Sequence, residues 1–509
     1  MRLGKEKRMR MVAAVLGALW LGVFPLWQDL SYAHITHAKW VGALALCGVT
    51  VLVCLVAALV PARGKRSGQG LRRHPVWLVA LAYFSWVALS ACFGSWAGSV
   101  NGSGELVVWM GAIRYEGLLT HLCYGLIFLM MSLFPARKEP VLAAAAVALT
   151  VFCGVVALQY MGVNVLGLFP AGRSINTNYE FQGTIGNIDM VSGYLCLVTP
   201  LLLGDYVTRE KGGWLQLAAG SLGAALIWCI EVQAGLIALA ALCALIVLLM
   251  LRFPAYRVRG CVALAGVAAG FALRGLLFLP WLDSATPRAA LPVELVFTWK
   301  ALLGLLGVAV CLLLAWAFSH RQGKALPAKA ILCLLLVCVL GGVWLMAILP
   351  VPESAGGLYE LHEILNGRAR DQFGSWRLGV WRHSLDMSRN SLIFGTGPDT
   401  FYYAMQDHLA KVGASLGENF DNPHNEYVAI LCNNGLPALL LYVTLLAWLL
   451  VEVCRRRQWP LALAVGCFAL QGFFSFSICL VTPMFWAVLG MAAAQCGGPQ
   501  KAQTMTEVI

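Results

Sequence analysis

Two residue types in one stretch of this chain are suited to moving a proton beside a phosphate. Asn422-Pro423-His424-Asn425-Glu426-Tyr427 precedes an apolar run. Asn is favoured as a helix N-cap and Pro at the first helical position, so this spacing predicts a helix with His424 in its first turn. The positive end of a helix dipole disfavours imidazolium and keeps such a histidine neutral near pH 7. A neutral imidazole can take a proton from a hydroxyl. An interfacial histidine satisfied by the neighbouring Asn and Glu fits the spacing equally. Upstream, GSWRLGVWRHSLDMSRN predicts a helix capped by Ser375, with Arg377 and Trp381 on one face at i, i+4. A guanidinium beside aromatic surface suits a diphosphate, whose oxygens its planar donors bind in pairs. Arg382, Asp386 and Arg389 fall on another face and read as a solvated ion-pair ladder, or as arginines snorkelling to lipid phosphates.

The elements that must hold these residues are membrane spans. The chain has 509 residues, 60% hydrophobic and 12% charged, with a mean hydropathy of +0.77. That balance excludes a soluble domain, and repeated apolar runs of about 17–25 residues are the membrane-helix signal. About fourteen such runs lie near 11–27, 40–61, 75–93, 117–134, 140–160, 187–207, 214–231, 234–251, 260–281, 294–318, 330–350, 426–453, 460–478 and 481–496. The expected fold is an all-α integral membrane protein of about 12–14 spans with one large, partly helical extracytoplasmic loop. Residues 1–350 form about eleven spans, 351–425 the loop that carries part of the site, 426–496 the C-terminal spans, and 497–509 a cytoplasmic tail. A basic start, an apolar run from Met11 and Ser31-Tyr32-Ala33 have the outline of a signal peptide; a retained first helix is the reading taken here.

The net charge of +12 reports topology rather than a nucleic acid partner. Lys and Arg cluster in the N-terminal tail and at 63–73, 137–138, 209–211, 252–259, 321–329 and 455–457, while the intervening short loops carry only Lys39, Arg114, Arg173 and Arg288. By the positive-inside rule the 94–116, 161–186 and 351–425 segments then lie outside. The seventeen cysteines sit almost wholly in apolar runs, with no disulfide framework and no metal-type spacing. The two shorter outer segments mix Gly, Asn and aromatics, and their isolated Arg114, Arg173 and Asn187 suit a hydroxyl-rich or phosphorylated ligand; solvated turns account for most of their other residues. Within the spans the ionisable residues are few, Glu231, Arg274 and Lys300, and form no relay of Asp, Glu and His of the kind a transporter carries. At 433–437, Asn-Asn-Gly-Leu-Pro predicts a break. Either it interrupts one span, or a new span starts at Pro437.

The run GSWRLGVWRHSL…LIFGTGPDTF…NPHNEYVAILCNNGLP resembles the signature region of the O-antigen ligase family. The residues that carry the resemblance are Arg377, Trp381, Gly395, Gly397, Phe401, His424, Asn425, Glu426, Tyr427, Gly435 and Leu436. GTIGNIDMVSGYL and RYEGLLTHLCYGLIF resemble further segments of that family. The resemblance implies a GT-C-like, multi-pass protein of the bacterial plasma membrane with its active site on the extracytoplasmic side. It implies a metal-independent, inverting glycosyltransferase, without a cofactor, moving a glycan from undecaprenyl pyrophosphate to an acceptor hydroxyl on a glycan, lipid or protein. On that reading His424 is the general base and Arg377 binds the diphosphate. Arg114 and Arg173 help to hold it, and Asn187, Trp381, Asn425 and Glu426 line the substrates. A polymerase joining lipid-linked repeats, or a protein O-oligosaccharyltransferase, would use the same residues. A lipid-linked glycan transporter is the reading from another class. One departure stands out: many relatives carry a Ser-Arg pair at the start of a mid-chain span, where this chain reads Ile230-Glu231-Val232-Gln233-Ala234.

Overall fold

The computed structural model describes residues 5–59, 75–112, 114–133, 136, 138–160, 163–168, 183–278, 294–295, 297–321, 323–417 and 419–496. Apolar runs have formed helices throughout. Ten helices among these residues are long and apolar enough to cross a membrane, from Arg8–Leu26 to Glu426–Arg455. The other four expected runs form Leu118–Ser132, Trp214–Ile230, Trp459–Gln471 and Thr482–Cys496. At 1.5 Å per residue these last four reach only about 20–26 Å, short of a hydrocarbon core of about 30 Å. The expected twelve to fourteen spans therefore appear as ten full-length helices and four shorter ones. Strand pairing among the described residues is confined to Leu277–Phe278 against Glu294–Leu295, antiparallel, and one isolated bridge.

Ile188–Thr208 is the hub. Its spanning window is wholly buried, and small residues let its neighbours approach closely. A Cβ on Gly223 would meet Thr199 Oγ1 at 2.2 Å, and one on Gly220 would meet Leu203 at 2.7 Å. The charged residues inside the bundle are satisfied locally. Lys39, fully buried, donates to the carbonyls of Phe24 and Pro25 at 2.8 and 2.9 Å, where the first helix ends. Glu231 accepts from Arg274 at 3.0 Å and lies 3.7 Å from Lys300. The three ionisable span residues thus answer one another, and Glu231 has a guanidinium against it.

Residues 351–425 carry three helices, Gly357–Leu365, Arg377–Ser388 and Phe401–Val412. The last two share a small core of Val380, Met387, Phe401, Met405, Leu409 and Phe420 that also takes in Cys432 of the Glu426–Arg455 helix. This second core positions the site.

Candidate functional site

The Glu426–Arg455 helix is one element interrupted at Gly435, whose φ of 84° and ψ of 172° are not helical. The break frees backbone groups that hydrocarbon would leave unpaired. A neighbouring loop takes them up. Thr396 N and Gly397 N donate to the carbonyls of Cys432 and Asn433, both at 2.8 Å, and Leu436 N donates to Leu392 O at 2.7 Å. On its other side the same loop receives Ser95 N at Gly395 O (3.2 Å) and Trp96 N at Thr396 O (2.8 Å). Such close crossing needs glycine: a Cβ on Gly395 would lie 2.4 Å from the Asn433 carbonyl, and one on Gly435 2.1 Å from Ile393 O. The loop Leu392–Gly397 is thus wedged between the end of Val76–Phe93 and the broken helix.

His424 lies immediately before that helix, not within its first turn. The cap is Asn425, whose Oδ1 accepts from Tyr427 N and Val428 N at 3.0 and 3.1 Å. Asn422 instead accepts from His424 N at 2.9 Å, holding a turn in which His424 has φ 49°. The expected helix start at Asn422-Pro423 is corrected on this point: the earlier Asn closes a turn and the later one caps the helix. The imidazole is enclosed edge-on by Phe476 at 4.9 Å and Phe420 at 5.9 Å between ring centres. Nδ1 is buried and has no partner. Burial holds its pKa below the ordinary histidine value; the nearby Asp189 and Asp421 oppose this, and Arg377 and Arg114 reinforce it. Neutrality thus comes first from desolvation rather than from a helix dipole.

Arg377 opens its helix after three residues with left-handed backbone, Gly374 (φ 65°), Ser375 (φ 56°) and Trp376 (φ 67°). Ser375 does not cap it; Trp376 is the residue at the cap and no side chain accepts there. Two adjacent non-glycine residues in that region cost roughly 1–2 kcal/mol each, so the surrounding packing must hold the turn. Arg377 Nε is buried without a partner, and Nη1 makes only a long contact, 3.4 Å, to Gly374 O. Trp381 ties this helix to the histidine segment, donating from Nε1 to Pro423 O at 2.8 Å, and its ring lies 5.7 Å from Phe473. The Arg377 guanidinium and the His424 imidazole are therefore brought within electrostatic range of each other. Of the expected ladder, Arg389 pairs with Asp386 at 3.4 Å, whereas Arg382 turns to Asp371.

Arg114 joins them from a distant part of the chain. Its Nε donates to Asp421 Oδ2 at 2.6 Å, and its guanidinium lies 4.7 Å from the Phe476 ring centre. Asp399 fixes the loop that carries it. Asp399 Oδ2 accepts from Ala112 N at 2.7 Å and from Glu116 N at 3.2 Å, on either side of Arg114. Burial pushes the Asp399 carboxyl up to about 6, against the lowering effect of those two backbone donors. Glu116, which accepts from Tyr124 at 2.7 Å, is pushed well above the usual carboxylate range, chiefly by burial.

The remaining expected residues are placed as follows. Asn187 caps the hub helix, accepting from Asp189 N and Met190 N at 2.9 and 3.2 Å, and so sets Asp189 near His424. Asn425 is spent as the cap described above. Glu426 accepts from Ser477 N at 2.8 Å while its own amide donates to Gly472 O at 2.8 Å, which locks the cap to the Phe476 segment. Arg173 lies outside the described residues. Sequence reading missed Asp189 and Asp421 as neighbours of His424 and Asp399 as the anchor of the Arg114 loop, although Asp189 and Asp399 sit inside the GTIGNIDMVSGYL and LIFGTGPDTF runs and Asp421 directly precedes Asn422. Phe476, in an apolar run, carried no signal. Among the described residues no three His, Cys, Asp or Glu side chains are grouped to hold a metal.

Fold and site together define a multi-pass, helical membrane protein with a buried, mixed-charge cluster at the end of its helices. Residues 261–443 match the family model described as O-antigen ligase. That segment includes Arg377, Gly395, Gly397, His424 and Gly435, and the match over it supports membership of the O-antigen ligase family. No curated protein matches the chain.

Proposed function

We propose that the protein transfers a glycan from a polyprenyl diphosphate, of the undecaprenyl type, to an acceptor hydroxyl at the outer face of a bacterial plasma membrane. One observation carries this reading. Arg377 Nε and His424 Nδ1, the two polar atoms whose chemistry the reaction needs, are both buried without partners, on segments joined by the Trp381–Pro423 hydrogen bond. A buried donor and a buried acceptor left unpaired are costly unless a ligand completes them.

The acceptor oxygen attacks the anomeric carbon of the donor sugar. The new C–O bond forms on the face opposite the breaking bond to phosphate, so the configuration inverts. Neutral His424 accepts the hydroxyl proton. The lipid diphosphate leaves with the bonding pair, and Arg377 meets the charge that develops on its oxygens. Arg114, paired with Asp421 and set against Phe476, supplies a second guanidinium near the imidazole. Asp189 stabilises the imidazolium that results. The departure at Glu231 does not deprive this site of a guanidinium, because Arg377 and Arg114 both face His424 electrostatically.

The test is transfer by the purified, reconstituted protein from an undecaprenyl-diphosphate glycan to candidate acceptors. His424→Ala and Arg377→Ala should each abolish measurable transfer at normal expression. Retained transfer in either variant removes that residue from its role. Loss on changing only Glu231 or Arg274, with both site variants active, would favour a transporter.

A further inference from the structure

The helix Gly357–Leu365 has an apolar face that none of the described residues covers. Leu358, Leu361, Ile364 and Leu365 fall within about 120° of the helix circumference at 100° per residue. They are 55%, 43%, 38% and 39% exposed. The opposite face is polar and fully engaged. Glu363 is buried in a two-pronged pair with Arg368, at 2.6 and 2.9 Å. His362 Nδ1 donates to Met346 O at 2.8 Å, and Asn366 Nδ2 donates to Ala347 O at 3.0 Å.

Those two carbonyls belong to the last turn of the spanning helix Ala328–Ile348, where a helix has no donors of its own left to offer. His362 and Asn366 therefore pin the short helix at the level where the span leaves the hydrocarbon. A second contact sets the same level: a Cβ on Gly357 would lie 3.3 Å from Gln233 Nε2, at the tip of the hairpin formed by Trp214–Ile230 and Gln233–Arg252. A short helix held at the membrane edge, polar inward and leucine-lined outward, has the pattern of a helix lying in the lipid interface.

Its polar face also reaches the site. Glu360 Oε2 accepts from Gly374 N at 2.9 Å, and Gly374 is the first residue of the left-handed turn that delivers Arg377. We infer that Gly357–Leu365 is seated by its leucine face in the lipid leaflet at the Ile348 end of the spans, and that through Glu360 it fixes the Arg377 turn at the depth of lipid headgroup phosphates. The second half rests on the proposed diphosphate role of Arg377; the first does not.

The experiment uses the full chain in nanodiscs of phosphatidylcholine carrying a photoactivatable acyl chain, followed by peptide mapping. The 357–365 peptide should carry lipid adducts, as should the lipid-facing Trp299–His320 helix. Leu358→Ser, Leu361→Ser and Leu365→Ser combined should lower its yield roughly fivefold. Absence of adducts on 357–365 while Trp299–His320 is labelled overturns the seating. So does labelling in pure-lipid nanodiscs that disappears in native membranes, which would assign the face to a protein partner. Glu360→Ala should speed hydrogen exchange of the 372–378 backbone and lower kcat/KM for the donor about tenfold, with a fall in kcat, since a loosened Arg377 meets the developing charge less well. Unchanged exchange, or faster exchange with kcat and KM both unchanged, overturns the coupling. Should the chain transfer nothing from a lipid diphosphate, the functional reading fails separately, and adducts and exchange rates still decide this inference.

Discussion

At the scale of single residues, the site depends on burial that disfavours charge on its imidazole and on its carboxyls alike. His424 is kept neutral by its aromatic enclosure, so its pKa in the folded state lies below its unfolded value. Lowering the pH must protonate it against that burial. The stability tied to its neutral form is present above the unfolded pKa and lost as pH falls through the folded one. Transfer should therefore hold steady from pH 8 down past the ordinary histidine value of about 6.5, and its acid limb should lie lower. A limb above that value in a pH–rate profile would rule out His424 as the base. His424→Gln should cost about 10²–10⁴-fold in kcat, the range of general acid–base contributions. Asp399 has the opposite sign. Its folded pKa is raised to about 6, so the stability it adds is complete below the unfolded carboxylate value and is lost as pH rises through 6. Asp399→Asn keeps an acceptor for Ala112 N and Glu116 N and has no charge to bury. The wild-type protein should lose melting temperature between pH 5 and 7 relative to this variant. Asp399→Ala, which strands both donors, should be less stable by about 1–3 kcal/mol at either pH. Arg377 and His424 were legible as residues because their types and flanking pattern name a chemistry. Asp399 was not, because what it holds lies 283 and 287 residues away along the chain.

At the scale of elements, the sequence showed that the helix after His424 must break, but not what the break is for. Asn433 to Pro437 reads as a helix interruption, and left open whether a new span began at Pro437. The structure answers through partners remote in sequence: the Leu392–Gly397 loop occupies the backbone positions that the kink frees. The Gly-x-Gly of that loop and the Gly of the break are thus two halves of one crossing. Gly435→Ala would place a methyl 2.1 Å from Ile393 O and demand a positive φ, and Gly395→Ala would put one 2.4 Å from the Asn433 carbonyl. Both neighbours are backbone and cannot swing aside. Each substitution should cost about 3 kcal/mol or more and lower the melting temperature of the detergent-solubilised protein, with transfer lost because the His424 and Arg377 segments separate. Pro437→Ala, just inside the second half where proline is tolerated without being needed, should cost less than about 1 kcal/mol. Equal destabilisation by all three would mean the crossing is not what holds the site. The helix caps were misread for a related reason. Asn422 and Asn425 are both credible caps by type, and the choice is made by the Trp381–Pro423 and Glu426–Gly472 hydrogen bonds, which no local pattern contains.

For the whole molecule, the membrane arrangement follows from where charge is placed relative to the hub. Ile188–Thr208 carries Asp189, an electrostatic neighbour of His424, in its first turn and is capped by Arg209 at its other end. Its 21 residues make it about 30 Å long, one hydrocarbon thickness. The site and the basic turn are thus separated by a full span. The same holds for Glu426–Arg455, which starts beside His424 and finishes at the Arg455–Arg457 cluster. Several arginines at that far end are fastened rather than loose: Arg257 donates to the carbonyls of Gly323 and Lys324, both at 2.8 Å, and Arg456 pairs with Glu452 at 2.9 Å. They define a single face. The hydropathy and charge pattern contained this much of the architecture, because both are averaged over many residues and survive any one error in a boundary. If basic turns face the cytoplasm, the site faces out, and the two ends must differ in chemical access. Asn390→Cys, exposed beyond the Arg377–Ser388 helix, should react with a membrane-impermeant maleimide added to sealed right-side-out vesicles. Glu210→Cys, in the exposed turn after the hub helix, should react only after permeabilisation. The reverse pattern would put His424 and Arg377 on the cytoplasmic side, where transfer to an acceptor outside the cell could not take place.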